Sequence, residues 1–199
     1  MFVAVGGGTN TLAYSYNGIN WIGLGNSIFS TYGNDVFWNG RMWVAVGNGS
    51  TNTLAYSSDG INWTGLGNTM FTTQGLSIFW NGRMWLAGGE GTYTLAYSYD
   101  GIIWVGLGTS ILGAYGINID WNGKMWVAVG GPTNSTAYSY DGINWTNSGN
   151  ILGSGSYGYG VATNGNIWVL VGAEGTLTNS IAYSYDGITW IGLGKTIFS

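Results

Sequence analysis

The chain has no cysteine and no histidine among its 199 residues. A disulfide framework is therefore excluded, and so is the usual zinc site, which draws on thiolate and imidazole ligands. The lack of cysteine also fits a reducing compartment. Lysine and arginine number 4 against 8 acidic residues, for a formal net charge of −4. Four cations cannot build the basic patch that nucleic-acid binding rests on. Charged residues are only 6% of the chain, yet Trp, Tyr and Phe make up 16%, a load of buriable surface that disordered chains lack. Proline occurs once and glycine 38 times, with no three-residue period, so a collagen-like chain is excluded. No apolar run is long enough to span a bilayer. The opening MFVAVGGGTN has no basic n-region and too short an apolar stretch for a signal peptide. No metal, cofactor, nucleic acid or membrane partner is expected.

What the chain does contain is one unit, repeated. LAYSSDGINWTGLG at 54–67 recurs as LAYSYNGINWIGLG, LAYSYDGIIWVGLG, TAYSYDGINWTNSG and IAYSYDGITWIGLG. The tryptophans Trp21, Trp63, Trp104, Trp145 and Trp190 mark steps of 42, 41, 41 and 45 residues. A period near 42 suits propeller blades. Within the fullest unit, TYGNDVFW reads as a first strand, Asn39-Gly40 as a hairpin turn and RMWVAVG as a second strand. LAYSS is the third strand, Asp59-Gly60 the next turn and INWTGLG the fourth strand. First strands are expected at 35–38, 77–80, 118–121 and 159–163. The total is nineteen strands, one short of five complete blades, the missing one belonging before Met1. The expected fold is all-β: a β-propeller of four-stranded blades, five-bladed with one strand missing from the first. The chain is expected to form one domain of units 1–30, 31–72, 73–113, 114–154 and 155–199. A fragment of a six- or seven-bladed ring is the alternative, since arrays extend by adding like units. An unpaired strand edge would invite self-association.

The recurrent turn is Ser57, Asp59, Gly60 and Trp63, with Asp100, Asp141 and Asp186 at matching positions and Asn17 in the first unit. A short Asp or Asn side chain accepts hydrogen bonds from the N–H groups just after it, and glycine supplies dihedrals that larger residues resist. A neutral amide at Asn17 can do the same work, so these acids read as turn locks rather than catalysts or calcium ligands. A second turn sets a long side chain after Asn-Gly: Arg41, Arg83 and Lys124. These cations would ring one face and pair there with the turn aspartates. Trp38, Trp80, Trp43 and Trp85 flank the Asn-Gly turns and read as core between blades.

The pattern Ser-x-Asp-Gly-x-x-Trp resembles a shortened Asp-box, the hairpin of bacterial-neuraminidase-repeat propellers, and lacks the residue between Asp and Gly. The whole unit, WNGRMWVAVG with LAYSSDGINWTGLG, also resembles uncharacterised repeat proteins of large DNA viruses and some microbes. The resemblance implies a propeller whose boxes lie away from the ligand face. A cytoplasmic or virion-associated location is expected over a secreted one. The sialidase chemistry of that family uses three arginines on the substrate carboxylate, a tyrosine nucleophile and a carboxylate partner. This chain has two arginines, each beside an Asn-Gly turn, so that machinery has no counterpart.

Variation concentrates in the opposite links. The residues before glycine in the crossing links are Tyr32, Gln74, Tyr115 and Tyr157, and Asn34 and Asn118 add amides nearby. If first strands line the axis, these side chains approach the mouth of the central channel. Further links run over 48–52, 90–93, 132–135 and 174–180. Asp35 and Asp120 could in principle serve as glycosidase carboxylates, but they sit in different repeats at related offsets, which the repeat itself explains. The expected function is a non-catalytic structural or protein-interaction scaffold. A lectin-like module binding neutral glycans through Tyr, Gln and Asn is the alternative, and glycoside hydrolysis ranks last. The partners expected are a protein, a neutral glycan or a second copy.

Overall fold

The computed structural model describes residues 1–173 and 175–198, so Glu174, which opens one variable link, and the terminal Ser199 lie outside the described residues. The described chain is all-β, with no helix. Five antiparallel sheets follow one another along the sequence. The first has three strands, β1 (Phe2–Val5), β2 (Leu12–Ser15) and β3 (Ile22–Gly23). The second has four, β4 (Tyr32–Trp38), β5 (Trp43–Asn48), β6 (Leu54–Ser57) and β7 (Thr64–Gly65). β8 (Gln74–Trp80), β9 (Trp85–Glu90), β10 (Leu95–Ser98) and β11 (Val105–Gly106) form the third. β12 (Gly116–Trp121), β13 (Trp126–Gly130), β14 (Thr136–Ser139) and β15 (Thr146–Gly149) form the fourth. The fifth contains β17 (Tyr157–Thr163), β18 (Trp168–Ala173), β20 (Ile181–Ser184) and β21 (Ile191–Gly192). Two short strands, β16 (Gly153–Ser154) and β19 (Thr176–Leu177), pair as a separate ribbon. The ribbon accounts for the difference from the nineteen strands expected, and both its strands lie within the 45-residue step from Trp145 to Trp190.

Each sheet packs on the next. The first strands lie side by side in the order β4, β8, β12, β17, and β1 packs on β4. Among the described residues no comparable packing joins the first sheet to the fifth. The alternation in the second strand of each unit explains the contact. Val44 and Val46 face the third sheet and pack with Ile78, Trp85, Ala87 and Ala96. Ala45 and Ala55 face the first sheet, beside Val3, Val5 and Leu12. Large branched side chains on one face meet small alanines on the other, and the sheets close on each other at the density of a protein interior. Crossing links add one buried plug at each step: Phe29, Phe71, Leu112 and Leu152. Trp85, Trp126 and Trp168 are buried fully, whereas Trp38 is exposed and Trp80 half-buried. The second-strand tryptophans of the third to fifth sheets are thus core, whereas Trp43 of the second is only half-buried, as are most of those ending the first strands.

A glycine bulge starts every complete first strand. Register shifts fall between Gly33 and Asp35, Gly75 and Ser77, Gly116 and Asn118, and Gly158 and Gly160. A side chain at Gly75 would meet Val46 and the Thr53 carbonyl of the preceding sheet, so the close approach demands glycine there. The bulge lets pairing extend toward the strand's beginning. First strands therefore begin earlier than expected, and Tyr32, Gln74 and Tyr157 lie in strands rather than links.

Candidate ligand-binding rim

The recurrent turns hold four of the acids through one set of hydrogen bonds. Ser57 Oγ donates to Asp59 Oδ1 at 3.0 Å and accepts the Gly60 N–H at 2.9 Å. Asp59 Oδ1 accepts the N–H groups of Ile61 at 2.9 Å and Asn62 at 2.7 Å. Trp63 Nε1 donates to the Gly60 carbonyl at 3.2 Å, and Gly60 has φ +72°. Asp100, Asp141 and Asp186 accept the matching N–H groups, and Trp104 and Trp145 repeat the indole bond, whereas the buried Nε1 of Trp190 has no partner. Asn17 accepts from Ile19 and Asn20, each at 2.9 Å, so an amide does the work of a carboxylate. The donors hold the acids ionised. The Asn62 side chain, then the Asn62 and Ile61 N–H groups, keep Asp59 well below the ordinary carboxylate range. Asn144 does the same for Asp141. The N–H groups of Ile103 and Ile102 lower Asp100, and those of Thr189 and Ile188 bring Asp186 down to about 2.

The acids of the first strands have a different task. Asp35 Oδ1 accepts the Val36 N–H at 2.8 Å, and its Oδ2 accepts the Ile78 N–H of the next sheet at 2.9 Å. Asp120 likewise accepts from Trp121 at 2.7 Å and from Thr163 of the next sheet at 2.8 Å. Burial raises the pKa of both, and the two N–H donors offset part of that rise. Each carboxylate is a staple between neighbouring first strands. The two amides among the candidate ligand residues also reach between sheets. Asn34 Nδ2 donates to the Gly75 carbonyl at 2.8 Å, and Asn118 Oδ1 accepts the Val161 N–H at 3.0 Å.

At the starting ends of β8, β12 and β17, three of the candidates come together. Gln74, Tyr115 and Tyr157 line a single cavity of about 400 Å³ with Leu76, Ile117 and Tyr159. Tyr115 and Tyr157 meet edge to face at 5.6 Å, and Tyr157 stacks on Tyr159 at 6.2 Å with their planes 14° apart. Gln74 Nε2 donates to Glu90 Oε2 at 3.0 Å, which fixes the amide at the rim. Tyr32 is exposed and does not line this cavity. Leu76, Ile117 and Tyr159 are the extra residues of the bulges after Gly75, Gly116 and Gly158, and the broken alternation there, which the sequence pattern does not announce, brings them to the cavity.

No family model matches the chain, and no curated protein does. Solved structures resemble it in fold. It superposes on a GH74 enzyme from Niastella koreensis with a TM-score of 0.56 and 19% identity, over 80% of this chain and 23% of that one. It superposes on the extracellular domain of a putative one component system from B. thetaiotaomicron with a TM-score of 0.64 and 11% identity, over 94% of this chain and 25% of that one. The chain thus spans about a quarter of the length of those structures. At such identities the likeness is one of fold.

Proposed function

We propose that the chain is a non-catalytic interaction module, a run of five propeller blades whose axial rim receives a partner. The observation that carries this reading is the division of labour among its polar groups. Turn acids are committed to backbone N–H groups, and Asp35 and Asp120 to inter-sheet staples. The side chains lining the rim cavity are Gln74, held there by Glu90, and the tyrosines with Leu76 and Ile117, a set suited to binding by area and hydrogen bonding.

The aromatic wall of the cavity favours a neutral glycan as the group received. Tyrosine faces match the apolar face of a sugar ring, their hydroxyls and the Gln74 amide give direction, and the cavity is within the size of ordinary ligand pockets. Affinity at one such site would be modest, and clustered ligands would gain by avidity. A glycan array followed by titration of the best glycan tests this. Binding lost in Tyr115→Ala and Tyr157→Ala at unchanged thermal stability supports the glycan reading. No binding at millimolar glycan leaves the rim to a protein partner.

A further inference from the structure

The opposite end of the sheets carries a second kind of concavity, and it occurs twice. Between the second and third sheets Arg41, Trp80, Tyr99 and Asp100 line a cleft of about 580 Å³. Between the third and fourth sheets Arg83, Trp121, Tyr140 and Asp141 line one of about 480 Å³. The residues correspond one for one along the repeat. In each cleft the arginine follows the Asn-Gly turn of one sheet. The tryptophan ends the first strand of the next sheet, and the tyrosine and aspartate belong to that sheet's Asp-Gly turn.

These groups are presented rather than consumed. The arginines and tyrosines are exposed and the tryptophans half-buried. Among the described residues the Arg41 and Arg83 guanidiniums make no hydrogen bond or ion pair, so the pairing with turn aspartates expected from sequence is not made. The turn uses only Oδ1 of Asp100. At Asp141 it uses Oδ1, and Asn144 donates to Oδ2 at 2.7 Å. A carboxylate oxygen so engaged still has accepting capacity.

We infer that the two clefts are equivalent binding sites for a neutral pyranose. A ring hydroxyl both donates and accepts. A guanidinium offers donors only and a carboxylate acceptors only, so the pair flanking each cleft satisfies both halves of a polyol. The indole supplies an apolar wall for the C–H face of the ring. Opposite charges on the two walls disfavour a ligand of either net charge. The boundary between the fourth and fifth sheets has Lys124 in place of arginine and Thr163 in place of tryptophan. The boundary between the first and second carries Ser58 where the clefts carry Tyr99 and Tyr140. Neither therefore completes the set, and two sites per chain are expected.

The test is a titration of the ¹⁵N-labelled chain with methyl glucoside, methyl mannoside, methyl galactoside and N-acetylglucosamine, each to tens of millimolar, with glucuronate and glucosamine as charged probes. The expected result is a shift of the Trp80 and Trp121 indole N–H signals together, with one of the neutral sugars. That shift disappears in the Arg41→Ala/Arg83→Ala variant and persists in Tyr115→Ala/Tyr157→Ala. Both arginines are exposed, so the first variant should keep its melting temperature. Indoles unmoved by every neutral sugar would overturn the inference. So would shifts that survive loss of both arginines, or tighter binding of a charged probe.

Discussion

Asp35 and Ile78 stand on the first strands of adjacent sheets, and the carboxylate of one accepts the backbone N–H of the other at 2.9 Å. The bond crosses between sheets where neighbouring first strands lie side by side. One boundary further but one, Asn118 makes the corresponding bond to Val161 at 3.0 Å. Between them, Ser77 occupies the same place in the repeat, but its buried Oγ has no hydrogen-bond partner. A serine is too short for the span that an Asx side chain covers.

Ser77→Asn should therefore supply the missing staple to the Ile119 N–H. Gly88 stands where the second and fourth sheets carry Val46 and Val129, so no side chain at that place competes with the longer amide, although the Gly116 backbone lies close beside it. A satisfied hydrogen bond is worth about 1 kcal/mol net. The expected outcome is a higher melting temperature, checked by calorimetry. A lower one would mean that the amide displaces Gly88 or the Gly116 backbone instead.

The turn aspartates and the staple aspartates should respond to acid in opposite senses. Asp186 falls to about 2 from its ordinary value of 3.8 on folding. The unfolded chain binds more protons between those values, so the stability Asp186 provides is full above the ordinary value and is lost as pH falls toward about 2. Asp35 and Asp120 are raised by burial, so their term weakens the fold as pH rises through the ordinary carboxylate range. Asp186→Asn should flatten the loss of stability in acid while changing little at neutral pH, following the amide already present at Asn17. Asp100→Ala removes the acceptor altogether and should cost about 1 kcal/mol, as loss of a comparable side-chain cap does. Urea unfolding at neutral pH and near pH 3 measures both.

The two end sheets of the run leave apolar side chains exposed. Phe2 is 54% and Trp21 44% exposed on the first sheet, and Val169 is 37% exposed on the fifth. Inside the run Trp85 and Trp126, counterparts of Phe2, and Val44 and Val127, counterparts of Val169, are at 0%, and Trp63, Trp104 and Trp145, counterparts of Trp21, are half-buried. We propose that a second copy covers them, fifth sheet on first, because the internal boundaries already show how these two faces fit. Such a head-to-tail contact is heterologous and continues the stack. Light scattering across the micromolar range should show concentration-dependent association, and Val169→Lys should abolish it. A monodisperse monomer would contradict the proposal.

Much of this was legible in the sequence because it repeats. Four copies of the Ser-x-Asp-Gly-x-x-Trp turn and a fifth with Asn17 set the strand spacing, and that amide marks the acids as turn acceptors. What escaped the reading depends on geometry between units. The bulges at Gly33, Gly75, Gly116 and Gly158 arise from the preceding sheet's close approach, which no local pattern announces. They shift the strand starts and turn Leu76, Ile117 and Tyr159 toward the same cavity as Gln74 and the two neighbouring tyrosines. The staples by Asp35, Asn118 and Asp120 span 43 residues, one repeat and a little more, and so looked like scattered polar residues. The exposure of Trp80 and Trp121 was hidden for the same reason, since it depends on where the next sheet's turn lands.

The claim that the module binds without catalysing is tested most directly by incubating the chain with a panel of oligosaccharides and following binding and turnover together by mass spectrometry. Any glycan bound should be recovered intact. Hydrolysis above a mock preparation, abolished by Asp35→Asn or Asp120→Asn with the fold preserved, would contradict it and make those staples catalytic carboxylates.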